Sequence, residues 1–149
     1  MAQVTAQTAG ANFYAAVSSD GSSWTDISGA ATMVQPDSSK RNNGEGYTGE
    51  GDIAVLAYGK KPPQSWKLTT IYTKTAGQAY KLLHAAYANN TRLDLRYCPE
   101  GNTTGNDRYT TTAGRIVELS FPKAEASESN PVVCTATFKA ADYTLDAVP

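Results

Sequence analysis

At 149 residues the chain suits one domain, and 13 lysine and arginine residues against 14 aspartate and glutamate residues leave a formal net charge of −1. That balance excludes a bulk electrostatic pull toward nucleic acid or an anionic membrane. No apolar run approaches the roughly 18 residues of a membrane span, and Met1-Ala2-Gln3-Val4-Thr5 has neither the basic nor the apolar region of a signal peptide.

In chain order, residues 1–10 are small and polar and read as a mobile arm, with residues 11–149 forming a single β domain. Asn12 to Ser18 is predicted to be a strand, Asp20-Gly21 a tight turn, and Trp24 to Ser28 the return strand of a hairpin. Ala30 to Val34 reads as a weak extension. Residues 35–51 then show no periodicity and are predicted to be one long, glycine-rich loop, a length that in compact domains goes with function or disorder. Asp52 to Tyr58 is a nearly continuous apolar strand, closed by Gly59 and the turn Lys60-Lys61-Pro62-Pro63.

The centre of the chain reads as strand, helix, strand. Ser65 to Tyr72 places Trp66, Leu68, Thr70 and Tyr72 on one face. Thr75 and Gln78 have capping-box spacing, so a helix is predicted over about 76–89, with Ala79, Tyr80, Leu83, Ala86 and Tyr87 as its apolar stripe. Asn89-Asn90 suits its C-terminal turn. Thr91 to Tyr97 resumes period two, with Leu93, Leu95 and Tyr97 inward and Arg92, Asp94 and Arg96 outward. Pro99 to Asp107 is irregular. In the strand Gly114 to Phe121, Ile116, Glu118 and Ser120 alternate with Val117, Leu119 and Phe121. A polar loop from Lys123 to Pro131, the strand Val132 to Ala140 and a short strand Tyr143 to Leu145 complete the chain. The fold class is therefore mainly β: a two-sheet sandwich or barrel of seven or eight strands with one helix packed on it.

Local charge is uneven. Lys60, Lys61, Lys67, Lys74, Lys81, Arg92 and Arg96 crowd the segment from Ile53 to Cys98 against Asp94 alone. From Val117 onward Glu118, Glu125, Glu128, Asp142 and Asp146 outnumber Lys123 and Lys139. With no signal peptide in view, Cys98 and Cys134 are expected to be free thiols in a reducing compartment, Cys134 buried between Val132 and Ala136.

Motifs for chemistry are weak. Gly44-Glu45-Gly46-Tyr47-Thr48-Gly49 spells the dinucleotide-binding pattern, but a polar loop leads into it and a strand leads out, so no helix N-terminus can receive a pyrophosphate, and Glu45, Glu50 and Asp52 repel one. His84, the one histidine, has no nucleophile or base nominated by spacing. His84, Cys98 and Cys134 lack paired-ligand spacing, and Asn102 to Asp107 lacks the closing glutamate of a calcium loop. No enzyme activity, metal or cofactor is expected. Trp24, Trp66 and nine tyrosines leave open a monomeric carbohydrate-binding module with exposed aromatics, although most of them fall on predicted strands, where packing is the default.

The order of features resembles the tail tube (major tail) proteins of long-tailed bacteriophages. The resemblance rests on Trp24-Thr25-Asp26-Ile27 in a hairpin, a long loop, and Trp66-Lys67-Leu68-Thr69-Thr70. It continues through Gly77-Gln78-Ala79-Tyr80-Lys81-Leu82-Leu83-His84-Ala85-Ala86, Pro99-Glu100-Gly101, Gly114-Arg115-Ile116-Val117-Glu118-Leu119 and Val132-Val133-Cys134-Thr135-Ala136-Thr137-Phe138. It implies a virion structural protein that self-assembles into stacked hexameric rings, a hollow tube through which DNA passes, assembled in the host cytoplasm. It also implies initiator, terminator and tape-measure partners. By position, it implies that Lys40, Arg41, Asn42, Asn43, Gly44, Glu45, Gly46, Tyr47 and Thr48 reach a neighbouring subunit or ring. A tail terminator and the tube of type VI secretion share the expected fold and remain alternatives. A DNA lumen should repel phosphate, so the acidic C-terminal third is the expected lumen lining, with the basic centre facing outward or paired across subunits.

Overall fold

The computed structural model describes residues 10–51, 54–127 and 129–149. The arm predicted for residues 1–10 lies outside them except for Gly10, which opens a short 3-10 turn, Gly10–Asn12. The architecture is mainly β, in antiparallel sheets, with one α-helix among the described residues. One sheet has five strands: β1 (Tyr14–Ser18), β2 (Thr25–Asp26), β7 (Asp94–Cys98), β8 (Asp107–Thr112) and β11 (Asp142–Ala147), in the order β11-β8-β7-β1-β2. The other has four: β3 (Ala31–Pro36), β6 (Gln64–Ile71), β9 (Arg115–Leu119) and β10 (Val133–Ala140), in the order β3-β6-β10-β9. A third sheet contains only β4 (Asn43–Gly46) and β5 (Val55–Tyr58).

The larger sheets pack face to face. Trp66, Leu68, Cys134, Ala136, Phe138, Ile116 and Leu119 from one meet Ala15, Val17, Leu95 and Tyr97 from the other in a single core. Period two explains most of this: Trp66, Leu68 and Thr70 alternate inward along β6, and Cys134, Ala136, Phe138 and Ala140 along β10. The helix α1 (Ala79–Ala88) lies against β9 and β6 and buries Ala79, Tyr80, Leu83 and Ala86. Each large apolar side chain so buried contributes about 1.5–3 kcal/mol.

Several boundaries differ from the sequence reading, each for a local reason. The helix starts at Ala79, not 76. Gly77 adopts φ +81°, and the Gln78 amide donates to the Thr75 carbonyl at 3.4 Å, so Thr75 to Gln78 is a tight turn rather than a first helical turn. Gln78 occupies the cap position without a side-chain hydrogen bond, and Thr75 does not cap. Tyr87 is 40% exposed instead of completing the apolar stripe. The C-terminus behaves as predicted: Thr91 N–H donates to Ala86 O and Asn90 N–H to Tyr87 O, a Schellman closure with Asn90 at φ 50°. Strict alternation fails along β9. A bulge opposite Thr137 and Phe138 brings both Ile116 and Leu119 to the core and turns Val117 outward.

Two strands lie in segments read as irregular or left unassigned. β8 carries Tyr109 and Thr111 toward the core and joins β7 to β11. β4 lies inside the predicted long loop, where Asn43-Gly44-Glu45-Gly46 pairs residue for residue with Tyr58-Ala57-Leu56-Val55. Irregular chain therefore leads into and out of a hairpin strand, and the described residues hold eleven strands where seven or eight are predicted.

Asp94 is the largest reversal of an inward and outward assignment. Predicted to face solvent, its side chain is 1% exposed. Its carboxylate accepts the Gly114 amide at 2.6 Å, the Thr111 hydroxyl at 3.3 Å and the Arg92 Nε–H at 2.7 Å. The Thr111 hydroxyl in turn accepts the Leu95 amide at 2.9 Å. One side chain thereby fixes β7, β8 and the turn into β9. Gly114 is required there, because a Cβ would lie 2.8 Å from the Leu93 carbonyl oxygen.

Candidate assembly surface

The β4–β5 hairpin is built from sequence that would not hold a strand alone. Glycine and asparagine are depleted from strands, and an isolated two-stranded ribbon is marginal in water. Pairing with Val55 to Tyr58 and a closed base hold it. The Gly59 amide donates to Asn42 O at 2.5 Å and the Asn42 amide to Lys60 O at 3.1 Å. Gly59 has no room for a side chain, since a Cβ would sit 2.8 Å from Asn42 O.

All eight strand residues of this hairpin are exposed. Val55 is 59%, Leu56 51% and Tyr58 82% exposed, with Tyr47 at 73% just beyond the last pair. Among the described residues neither strand has a second partner, so each presents an open row of backbone donors and acceptors. Exposed apolar side chains together with open strand edges are the marks of a surface made to be covered.

The sequence-predicted residues divide over this element. Lys40, Arg41 and Asn42 form its base, Asn43, Gly44, Glu45 and Gly46 its first strand, and Tyr47 and Thr48 the start of its tip. The base is tied to β11: Lys61 Nζ lies 2.7 Å from Asp142 Oδ1 and 4.4 Å from the centre of the Tyr143 ring. The Lys61 ammonium and the Tyr143 amide hold the Asp142 carboxyl below the ordinary carboxylate value, and Arg41 adds to the effect.

Beside that base lies an aromatic cleft of about 200 Å³, formed where the two large sheets meet. Trp66 stands edge-on to Tyr97 and to Tyr143, with centroids at 5.6 and 5.9 Å, and Tyr97 stacks on Tyr109 at 5.1 Å. Burial, reinforced by Tyr109 and Tyr143, pushes the Tyr97 phenol up to about 12. The Trp66 indole N–H is buried and has no hydrogen-bond partner among the described residues. Pro36, Asp37, Ser39 and Gln64 complete the rim. Composition signalled the number of aromatic residues, but their meeting across two sheets depended on a register visible only in the fold.

The charge asymmetry of the sequence is partly resolved inside the chain. Asp142 pairs with Lys61, and Asp146 with Arg108 at 2.5 Å, so the C-terminal strand is compensated by its own neighbours and is less acidic as a surface than its composition suggests. Arg96 is drawn over the Trp24 ring at 4.0 Å. Both cysteines are free and buried, in different sheets, and burial pushes both thiols up. His84 is exposed on the helix, beside Tyr80. Among the described residues, no three or more His, Cys, Asp or Glu side chains are placed to hold a metal ion, and no helix is long and apolar enough to cross a membrane.

No family model and no curated protein sequence matches this chain. Its fold is that of solved components of phage-like tails and injection systems, and the resemblance read from the sequence is met at that level. A chain of the anti-feeding prophage tube-terminating cap is similar with a TM-score of 0.72 at 14% identity, over 99% of this chain and 95% of that one. A chain from the tail of an empty GTA particle, refined helically with C6 symmetry, gives 0.64 at 7% identity, over 92% and 96%. A chain of the SPP1 tail tube gives 0.61 at 12% identity, over 95% and 80%.

Proposed function

We propose that this chain is a structural tail tube subunit whose copies form hexameric rings that stack into a hollow conduit for DNA. The observation that carries the reading is the detached β4–β5 hairpin, with its exposed Val55, Leu56 and Tyr58 and its two open edges. Such a ribbon is costly to leave uncovered in a monomer, and a neighbouring copy offers both an apolar surface and strand edges to cover it. The shared fold supports the same reading, and the C6 symmetry of the GTA tail supports six copies per ring. In this role the protein resides in the virion tail after assembly in the host cytoplasm, meets an initiator, a terminator and a tape measure, and catalyses nothing.

Electron microscopy of the purified protein across a concentration series, with sedimentation of the same samples, tests the proposal. Stacked hollow rings are the expected result, and their symmetry replaces the inferred six. Single rings that never stack would instead identify a terminator. A monomer that persists at high concentration, and that no tail component recruits, would overturn the proposal.

A further inference from the structure

We infer that Asn43 is a site of spontaneous covalent modification: it cyclises onto the Gly44 nitrogen and reopens as isoaspartate, at a rate gated by the β4–β5 ladder. The inference concerns the single chain and does not depend on the tube-subunit reading.

The sequence selects the position, for Asn43 is the one asparagine that a glycine follows. In the reaction the Gly44 nitrogen gives up its proton and bonds to the Asn43 side-chain carbonyl carbon. The C–N bond of the carboxamide breaks, ammonia leaves, and a succinimide ring closes. Water then adds to either ring carbonyl, opening it to aspartate or to isoaspartate. A side chain at residue 44 would crowd the attacking nitrogen, and glycine brings none and bends freely. Packing does not ask for glycine there, since a Cβ would lie 4.0 Å from the Ala57 Cβ, an ordinary contact.

The fold sets the rate. The Gly59 amide donates to Asn42 O, and bonded and unbonded pairs alternate along antiparallel strands. Asn43 and Tyr58 therefore face each other unbonded, and the Gly44 N–H donates to Ala57 O. A closed ladder thus keeps the nucleophile and its proton on another acceptor. This ladder opens readily, because β4 and β5 form a sheet of their own whose residues are all exposed, and an isolated ribbon is marginal in water. Asp20-Gly21, the corresponding aspartyl step, is tied down by contrast. The Asp20 carboxylate accepts the Ser22 and Ser23 amides, each at 2.8 Å, and the Gly21 amide donates to Ser18 Oγ at 2.9 Å.

Isoaspartate routes the main chain through the side-chain carbon and so lengthens it between residues 43 and 44. Gly44, Glu45 and Gly46 then lose register with Ala57, Leu56 and Val55, while the two packed sheets are untouched. The reaction is a one-way loss of the hairpin from an otherwise intact chain.

The test holds the full chain in warm, mildly alkaline buffer and digests samples with trypsin. Cleavage after Arg41 and Lys60 releases peptide 42–60, which carries the whole hairpin. Mass spectrometry is expected to show –NH2 exchanged for –OH at Asn43 and not at Asn42, with isoaspartate among the products. Synthetic peptide 42–60, without the body of the chain to hold its ends, should convert about tenfold faster. Glu45→Cys together with Leu56→Cys sets a disulfide across an unbonded pair. It should slow conversion about tenfold when oxidised and not when reduced, the native thiols being buried. Gly44→Ala should abolish conversion and leave the melting temperature unchanged. A chain unconverted at Asn43 in the time the peptide takes would overturn the site. Equal rates in chain and peptide, or in the oxidised and reduced double variant, would overturn the gate. Each readout comes from the single chain, so none of these failures touches the tube reading.

Discussion

Asp94 shows how one side chain can be worth more than its sequence context suggests. Period two along β7 assigns it to the outer face with Arg92 and Arg96, yet its side chain is 1% exposed. The turn into β9 then closes over it, so that its oxygens take the Gly114 amide, the Thr111 hydroxyl and the Arg92 guanidinium. Asp94→Ala should therefore destabilise the monomer by about 3 kcal/mol, because a buried donor and a guanidinium lose their acceptor together. Gly114→Ala should act in the same direction by displacing the Leu93 carbonyl. Urea denaturation of both variants checks this, and midpoints equal to that of the parent chain would show that the network contributes nothing. The burial of Asp94 was beyond sequence reading because it depends on a turn 20 residues further along the chain.

At the scale of elements, legibility followed hydrophobic periodicity. β6, α1, β7 and β10 carry aliphatic and aromatic side chains at regular spacing; the sequence reading of β6 and β10 agrees to within a residue at each end, while α1 and β7 begin three residues later than their patterns predict. β8, with sequence Asp-Arg-Tyr-Thr-Thr-Thr, carries a single large apolar side chain and is a strand because β7 and β11 pair with both its edges. β4 is more extreme, for nothing in Asn-Gly-Glu-Gly asks for extended chain except its partner. Residues 40–48 are assigned to a neighbour contact only by their position in the chain, and their sequence reads as a loop where the structure has a strand over Asn43–Gly46. Replacing Gly44–Thr48 by a short linker removes the strand and tip without touching the core. Stacking should be abolished while the monomer keeps its circular dichroism spectrum and melting temperature. Tubes formed by that variant would show that the hairpin is dispensable.

For the whole molecule, charge placement matters more than net charge. Asp142 and Asp146 are held below the ordinary carboxylate value of 3.8 by Lys61 and Arg108, and Asp20 by the amides of Ser23 and Ser22 and the Ser18 hydroxyl. A carboxyl whose folded value is depressed adds stability that is complete above the unfolded value and is lost as pH falls through the folded one. Monomer stability should accordingly be level above about pH 5 and decline below about pH 4. The Asp142→Asn and Asp146→Asn variants should start lower near neutrality and decline less in acid. Thermal melts across that range check the sign, and identical slopes for parent and variants would refute the assignment. The same pairs explain why a composition-based choice of the C-terminal third as lumen lining is weakened, since two of its carboxylates already have cationic partners within the chain.

The β4–β5 hairpin has four paired residues on each strand, every one of them exposed, so no buried layer holds it shut. Its amides should therefore exchange with solvent far faster than those of the two packed sheets while the chain is alone, and slow only where another surface covers the hairpin.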